Sequence, residues 1–504
     1  MPRLTLSMIV KNEEKYLREC LESVKDLADE IVIVDTGSTD NTIAIAQEFR
    51  ANVFSFEWVN DFAAARNYAL SKSTGDWILY IDADERLDQK SVTELKNILD
   101  KKTKFGFYFT IQNIDTDESR DNSFRYVRLF LNSQGIEFTG KVHEQIEESL
   151  VKNEYQLLNS NIIINHTGYN VSKEEKQKKA KRNLDLLLEE YKNKNSAYYA
   201  FQLGNTYKVL KDFENAKKYY LAASKDKYLD TSYVVECFSS IAFIELNNHN
   251  VYGAENYIIK GLQYKTKNAY AHMLASKIYF RKKDYQKAEL HCKQSFEFNR
   301  KINYFEKGIT IKLDLEEIIF FGMMVAIQNN NISSFKFYQS ELFLDYQNKK
   351  YIDAKERIEV IRKLVSATKL CGSDIEILIK MVNDYSINLI IMLLQNETDN
   401  QLKLKIFEIL TKIFRGNMEI KLALVKIYEA ANETGKAINL LESEQLEQNP
   451  AAMFYLISFY LKMKDINKIN FTIEKIEKNF SSIPEVAERI KFLKSKLSAY
   501  TNPV

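Results

Sequence analysis

Proline is almost missing from this chain: four residues in 504, with none between Pro2 and Pro450. Over that span no pyrrolidine ring removes a backbone donor, so long uninterrupted helices are permitted. Cysteine is as scarce. Cys20, Cys237, Cys292 and Cys371 stand far apart and form no Cys-x-x-Cys pair or Cys/His cluster. That spacing argues against a disulfide framework or a zinc site and makes a reducing cytoplasm the expected setting. No run approaches the ~18 uncharged apolar residues of a membrane span, so none is expected. Excess charge of either sign is missing too: 71 Lys and Arg against 69 Asp and Glu leave a formal +2, with no global field to attract nucleic acid. The opening Leu4-Thr5-Leu6-Ser7-Met8-Ile9-Val10 lacks the basic start and long apolar stretch of a secretory leader and reads as a strand. A P-loop, a GxGxxG, a nucleophile elbow and an HExxH are all lacking, which sets aside the common kinase, dehydrogenase, hydrolase and zincin chemistries.

What is present is a balance of 45% hydrophobic and 28% charged residues, ample for burial in a chain long enough for roughly three domains. The character changes near residue 170. Before it lie six of the 14 glycines, both tryptophans and short β-branched runs; after about residue 172 come long Leu/Ile/Lys/Glu/Tyr segments with few glycines. Leu4–Val10, Glu30–Asp35 and Asp76–Ile81 read as buried strands, with helices over Glu13–Leu27 and Ile43–Phe49. Strand and helix alternating in this way predict a Rossmann-like, mostly parallel sheet whose ligands gather at the carboxyl ends of its strands. Further on, Leu203-Gly204 with Tyr207, Ala216, Tyr220 and Ala223, and alanines again at 254 and 288, follow the spacing of a tetratricopeptide repeat, although ordinary helix packing explains any single one of them. The expected organisation is an α/β domain over 1–170, a helical linker with tetratricopeptide-like repeats over 171–300, and a C-terminal helical domain with degenerate repeats over 301–504.

Chemistry concentrates at the strand ends. Tyr80-Ile81-Asp82-Ala83-Asp84-Glu85 sets Asp82 and Asp84 on one side of a chain leaving a buried strand, since alternate residues share a face. Two converging carboxylates suit Mg²⁺ or Mn²⁺ bound together with substrate phosphates; a solvated acidic turn is the plainer alternative. His166 ends the strand-like Asn161-Ile162-Ile163-Ile164-Asn165 and is placed on the same rim, as a third metal ligand that favours manganese or as a hydrogen-bonded core histidine.

Three segments, Ser7-Met8-Ile9-Val10-Lys11-Asn12-Glu13, Ile33-Val34-Asp35-Thr36-Gly37-Ser38-Thr39-Asp40-Asn41-Thr42 and Ile81-Asp82-Ala83-Asp84-Glu85, stand in the order and rough spacing of the family 2 glycosyltransferases, and residues 4 to 185 resemble that family. The resemblance implies a GT-A fold and inverting transfer from a UDP-sugar. It implies that the first strand end, with Asn12 and Glu13, contacts the nucleotide, that Asp35 sits near the uracil or ribose, and that Asp82 and Asp84 hold the metal. Trp58-Val59-Asn60-Asp61-Phe62-Ala63-Ala64-Ala65-Arg66-Asn67, Gly140-Lys141-Val142-His143-Glu144 and His166-Thr167-Gly168-Tyr169 resemble a bacterial subgroup that includes bacteriocin-peptide S-/O-glycosyltransferases. Arg66 then either reaches the donor or forms a structural ion pair. A single displacement needs a base to take the acceptor proton; Glu144 is preferred, with His143 beside the acceptor or diphosphate, a loop ion pair being the alternative for each. Arg128, Lys179 and Arg182 are cations available to the leaving phosphates, although most lysines of Lys173–Arg182 also fit a solvated helix face.

The reading that leads is a hexosyltransferase acting on Cys or Ser/Thr of a peptide or protein, because stacked helix pairs build concave surfaces suited to peptides. A cell-surface glycan as acceptor is the first alternative. A tetratricopeptide scaffold with a non-catalytic domain is the second, and the intact Asp35, Asp82, Asp84 and His166 weigh against it. Tail helices that pair between chains leave a homodimer open.

Overall fold

The short apolar runs of the first 170 residues form one sheet with helices on it in the computed structural model, which describes residues 2–101, 103–113, 120–167, 172–264, 267–302, 309–395, 397–442, 449–481 and 483–501. In chain order the elements are β1 (Leu4–Val10), α1 (Leu17–Val24), β2 (Glu30–Asp35), α2 (Thr42–Glu48), β3 (Asn52–Ser55), α3 (Phe62–Lys72), β4 (Trp77–Tyr80), β5 (Glu85–Leu87), α4 (Val92–Leu99), β6 (Phe105–Asn113), β7 (Arg120–Leu131), α5 (Glu147–Lys152) and β8 (Gln156–His166). Strand order is β3-β2-β1-β4-β7-β6-β8-β5. The first four strands are parallel, as the continuous apolar runs of β1, β2 and β4 require of strands covered on both faces. From β7 onward the sheet is mixed: β7 runs antiparallel to β4 and β6, β6 is parallel to β8, and β5 is antiparallel to β8. Leu4, Leu6 and Met8 of β1 point to one face and are fully buried with Leu17, Cys20 and Leu21 of α1 and with Trp77 and Leu79 of β4. This core holds the carboxyl ends of β1, β2 and β4 along one rim.

The helical part begins with α6 (Lys173–Lys194), whose Ser172 and Glu175 form a reciprocal cap. It continues through α7 (Ala197–Val209), α8 (Phe213–Ala223), α9 (Thr231–Asn247), α10 (Val251–Leu262), α11 (Ala269–Arg281) and α12 (Tyr285–Arg300). These last six pack as successive hairpins, α7 with α8, α9 with α10 and α11 with α12. Each hairpin turns in the same way: a left-handed residue, Lys211, His249 or Lys283, precedes a capping Asp212, Asn250 or Asp284 whose side chain accepts from the backbone three residues on. Ala216, Ala254 and Ala288 are fully buried at the crossings, the role that small residues have in a repeat of this kind.

One expectation fails here. The stretch from 301 is not helical throughout: Ile309–Leu313 is a strand, β9, pairing antiparallel with Arg120–Phe124 of β7. Ile309, Ile311 and Leu313 are buried and alternate with more open residues, a period of two that suits a strand and no helix. β4 covers only Leu129–Leu131 of that edge of β7, and β9 takes Arg120–Phe124.

The chain divides into two compact units, Met1–Asp314 and Leu315–Val504. The second runs through helices from Leu315–Gln328 to Pro484–Thr501. In it Glu316 is buried and pairs with Lys349 at 2.7 Å. No described helix is long and apolar enough to cross a membrane.

Candidate active site

The acidic loop follows from the way β4 ends. After Tyr80 and the buried Ile81 the chain makes a tight turn in which the Glu85 amide donates to the Asp82 carbonyl at 3.0 Å. It then enters β5 with Glu85 opposite His166 of β8. That register brings His166 to the turn: Nε2 lies 3.1 Å from Asp84 Oδ2, and Nδ1 2.8 Å from Asn113 Oδ1. Arg86 pins the turn by donating to the carbonyls of Ala83 and Tyr16, and the Cys20 thiol donates to the Asp82 carbonyl. Burial alone would lower the His166 pKa. The hydrogen bond and charge of Asp84, with Glu85 and Asp82 behind it, win and raise it.

Asp82 faces the other way. Its Oδ1 accepts from Arg66 at 2.6 Å, and Arg128 stands 3.7 Å from Oδ2. Burial would raise its pKa, but the two guanidinium charges hold it well below the usual carboxylate range. Arg66 rides on α3, which Asp61 starts by accepting from the Ala64 amide. The small Ala63-Ala64-Ala65 run lets this helix lie close to the rim, and Arg66, only 7% exposed, also meets Glu144 Oε1 at 2.5 Å. One arginine therefore ties the acidic turn to the Gly140–Glu144 loop. Arg128, from β7, is held by buried Glu85 at 2.6 Å, and the guanidiniums of Arg66 and Arg128 lie 5.1 and 4.8 Å from the centre of the Tyr80 ring.

At the neighbouring strand ends, Asn12 has a left-handed backbone (φ 55°) and accepts from the Thr39 amide at 2.8 Å, while its own amide donates to Ser38 Oγ. Buried Asp35 accepts from the amides of Gly37 and Ser38, closing the loop that leads to α2. Burial and then the charge of Asp84 push the Glu13 carboxyl up to about 7, with Lys179 of α6 pulling it back. Asn12, Glu13 and Asp35 thus line one loop cluster, and Asp82, Asp84, His166, Arg66 and Glu144 the next. His143 is left-handed (φ 53°), and burial lowers its pKa against the opposing charge of Glu144. Of the other expected residues, Arg128 is buried beside Asp82 and Glu85, while Arg182 of α6 stands apart, over the Phe62 ring at 5.6 Å. Gly168 and Tyr169 lie outside the described residues.

Glu85, Tyr80 and Asn113 had no assigned part in the sequence reading. Each acts through a partner distant in the chain, and only Glu85, directly after the paired aspartates, carried a local signal. A divalent cation fits Asp84 and His166, a carboxylate and an imidazole within 3.1 Å of each other, since Mg²⁺ and Mn²⁺ commonly take one or two protein groups and complete their shell with substrate phosphates and water. Among the described residues no group of three or more His, Cys, Asp or Glu is arranged to hold a metal, and Asp82 is turned to its arginines.

Residues 5–164 match the family model described as Glycosyl transferase family 2. A TPR repeat-containing protein of Synechococcus elongatus is 41% identical over 175 residues, 34% of this chain and 43% of that protein. The SPbeta prophage-derived glycosyltransferase SunS of Bacillus subtilis is 33% identical over 195 residues, 37% of this chain and 44% of its own. The chain thus spans less than half the length of these curated relatives. A solved structure of S. aureus TarS aligns over 57% of this chain and 54% of its own, at 15% identity and a TM-score of 0.28, too low for a structural argument.

Proposed function

Taking residues 5–164 as a domain of glycosyl transferase family 2, we propose that the chain is a metal-dependent inverting hexosyltransferase that moves the sugar of a UDP-sugar onto a Cys or Ser/Thr side chain of a peptide or protein. The observation that carries this reading is the double grip of Arg66, 2.6 Å from Asp82 and 2.5 Å from Glu144, which sets the Gly140–Glu144 loop beside the acidic strand end.

Asp84 and His166 are the groups that would hold Mn²⁺ or Mg²⁺. When bound, the cation supplies positive charge to the diphosphate as the glycosidic bond breaks. Asn12, Glu13 and the Asp35 loop form the nucleotide side of the rim, and Lys179 of α6, whose charge acts on Glu13, is a cation beside it. Glu144 takes the acceptor's S–H or O–H proton while the sulfur or oxygen attacks the anomeric carbon from the face opposite UDP, and the bonding pair leaves on the diphosphate oxygen. The Arg66 partner fixes the direction of the Glu144 carboxylate toward the acceptor. His143, kept neutral by burial, is the second group within that loop able to accept a proton.

The helical hairpins behind the domain support a polypeptide acceptor, since stacked hairpins present extended surfaces. Mass spectrometry of Cys-, Ser- and Thr-containing peptides incubated with enzyme, UDP-hexoses and Mn²⁺ tests this. A mass gain of one hexose is expected with the wild type and its loss with Glu144→Gln, UDP binding being retained. Transfer to saccharides and to no peptide would overturn the acceptor assignment.

A further inference from the structure

The loop that carries His143 and Glu144 does not stand by its own contacts. Its base is closed by Thr139 and Gln145, each amide donating to the other's carbonyl at 2.9 Å. Between them Gly140 takes a φ of +104°, which glycine adopts freely, and His143 one of +53°, a left-handed backbone that costs a residue with a side chain and needs support from its surroundings. Those surroundings are helical. The Lys141 amide donates to Glu190 Oε1 of α6 at 3.0 Å, and its Nζ meets Glu189 at 2.6 Å. Glu190 is only 6% exposed, and its charge, after burial, raises the pKa of the Tyr199 hydroxyl of α7. That hydroxyl sits against Gly140 so closely that any side chain there would collide with it. Val142 is buried among Leu187 of α6, Tyr199 and Leu203 of α7, and Tyr219 of α8. On the other side the Lys141 carbonyl accepts from the amide of Phe62, the first residue of α3, four residues before Arg66.

We propose that Glu190 and Tyr199 are positioning residues of the transferase: through Gly140, Lys141 and Val142 they set where His143 and Glu144 stand, so the first helices of the repeat region are part of the catalytic arrangement. This rests on the reading of Glu144 and His143 given above. Neither positioning side chain touches substrate in this scheme. Their effect reaches the reaction through the loop, and a carboxylate displaced by about 1 Å from its acceptor proton costs on the order of 100-fold in rate.

The test uses the full chain with Glu190→Gln, Glu190→Ala and Tyr199→Phe, the two milder changes covering the case in which the alanine variant fails to fold. Expected for Tyr199→Phe and Glu190→Ala are a kcat lower by roughly tenfold or more, UDP affinity in Mn²⁺ within about twofold of wild type, and faster hydrogen exchange at the Gln145 amide. Glu190→Gln, which keeps an acceptor for the Lys141 amide, recovers most of the rate. Unchanged exchange at Gln145 would overturn the clamp whatever the activity. An unchanged kcat, or a kcat and UDP affinity that fall together, would overturn its role in catalysis. A wild type that turns over no donor while Gln145 exchange responds would instead remove the transferase reading and leave the clamp standing.

Discussion

Arg66 is the residue on which the rim depends most. Buried, with a carboxylate on each side, it needs a planar fork with donors pointing in two directions, which lysine does not have. Arg66→Lys keeps the charge and loses one partner; a kcat roughly 100-fold lower with a donor KM changed only a few-fold is expected from a group that aligns the base without binding the sugar, and steady-state kinetics on the folded variant check it. Asp84 and His166 were legible before the fold was known because both stand at strand ends and the period of two puts Asp84 on the rim. Asp82 was legible as a carboxylate but its partners were not, since Arg66 and Arg128 reach it from a helix and a strand 16 and 46 positions away. For the same reason Glu85 and Asn113 went unassigned: a hydrogen bond across the sheet leaves no trace in spacing.

Among the elements, β1, β2 and the hairpin helices were readable from periodicity, whereas β3 (Asn52–Ser55), short and half-exposed at the sheet edge, offered too little burial to mark it. The hairpins show why a repeat signal fades while the structure persists. Gly204 packs on the Tyr220 ring, leaving no room for a Cβ, and in the second unit Gly322 meets Tyr338 in the same way, at the same interval of 16 residues. What recurs is a close approach of two helices, and one glycine–tyrosine pair suffices for it. Gly204→Ala should therefore destabilise the first unit by about 1–3 kcal/mol through overpacking, read as a lower denaturant midpoint with unchanged m-value. A pH dependence belongs to the same scale. His272 of α11 lies with Nδ1 3.0 Å from Nδ1 of His291 on α12, and burial, then the His291 charge, push its pKa down from 6.5 to about 4. Because the unfolded chain binds that proton more tightly, the contribution is fully present above pH ~6.5 and is lost as pH falls toward ~4. Melting temperature should fall over that window, and by less in His272→Gln. No fall in the wild type would contradict the assignment.

For the molecule as a whole, every residue assigned to the proposed reaction lies within Met1–Asp314, one compact unit in which sheet, 140–144 loop and helices α6 to α12 belong together. A chain ending at 314 should keep UDP-sugar turnover, while one ending at 170 should lose it through the freed 140–144 loop even where UDP still binds; parallel UDP-release assays on the two, with circular dichroism to establish folding, decide this. The change of composition near 170 marked where strands give way to helices, but it did not disclose that β9, coming after those helices, returns to the sheet of the first domain. That pairing is set by the free edge of β7, a tertiary fact. The most direct test of the transferase reading is UDP release from a panel of UDP-hexoses in Mn²⁺, wild type beside Asp84→Ala. Slow turnover of one or two donors, abolished by chelator and by the substitution, is the expected result. No turnover and no calorimetric binding of any UDP-sugar with metal would contradict it.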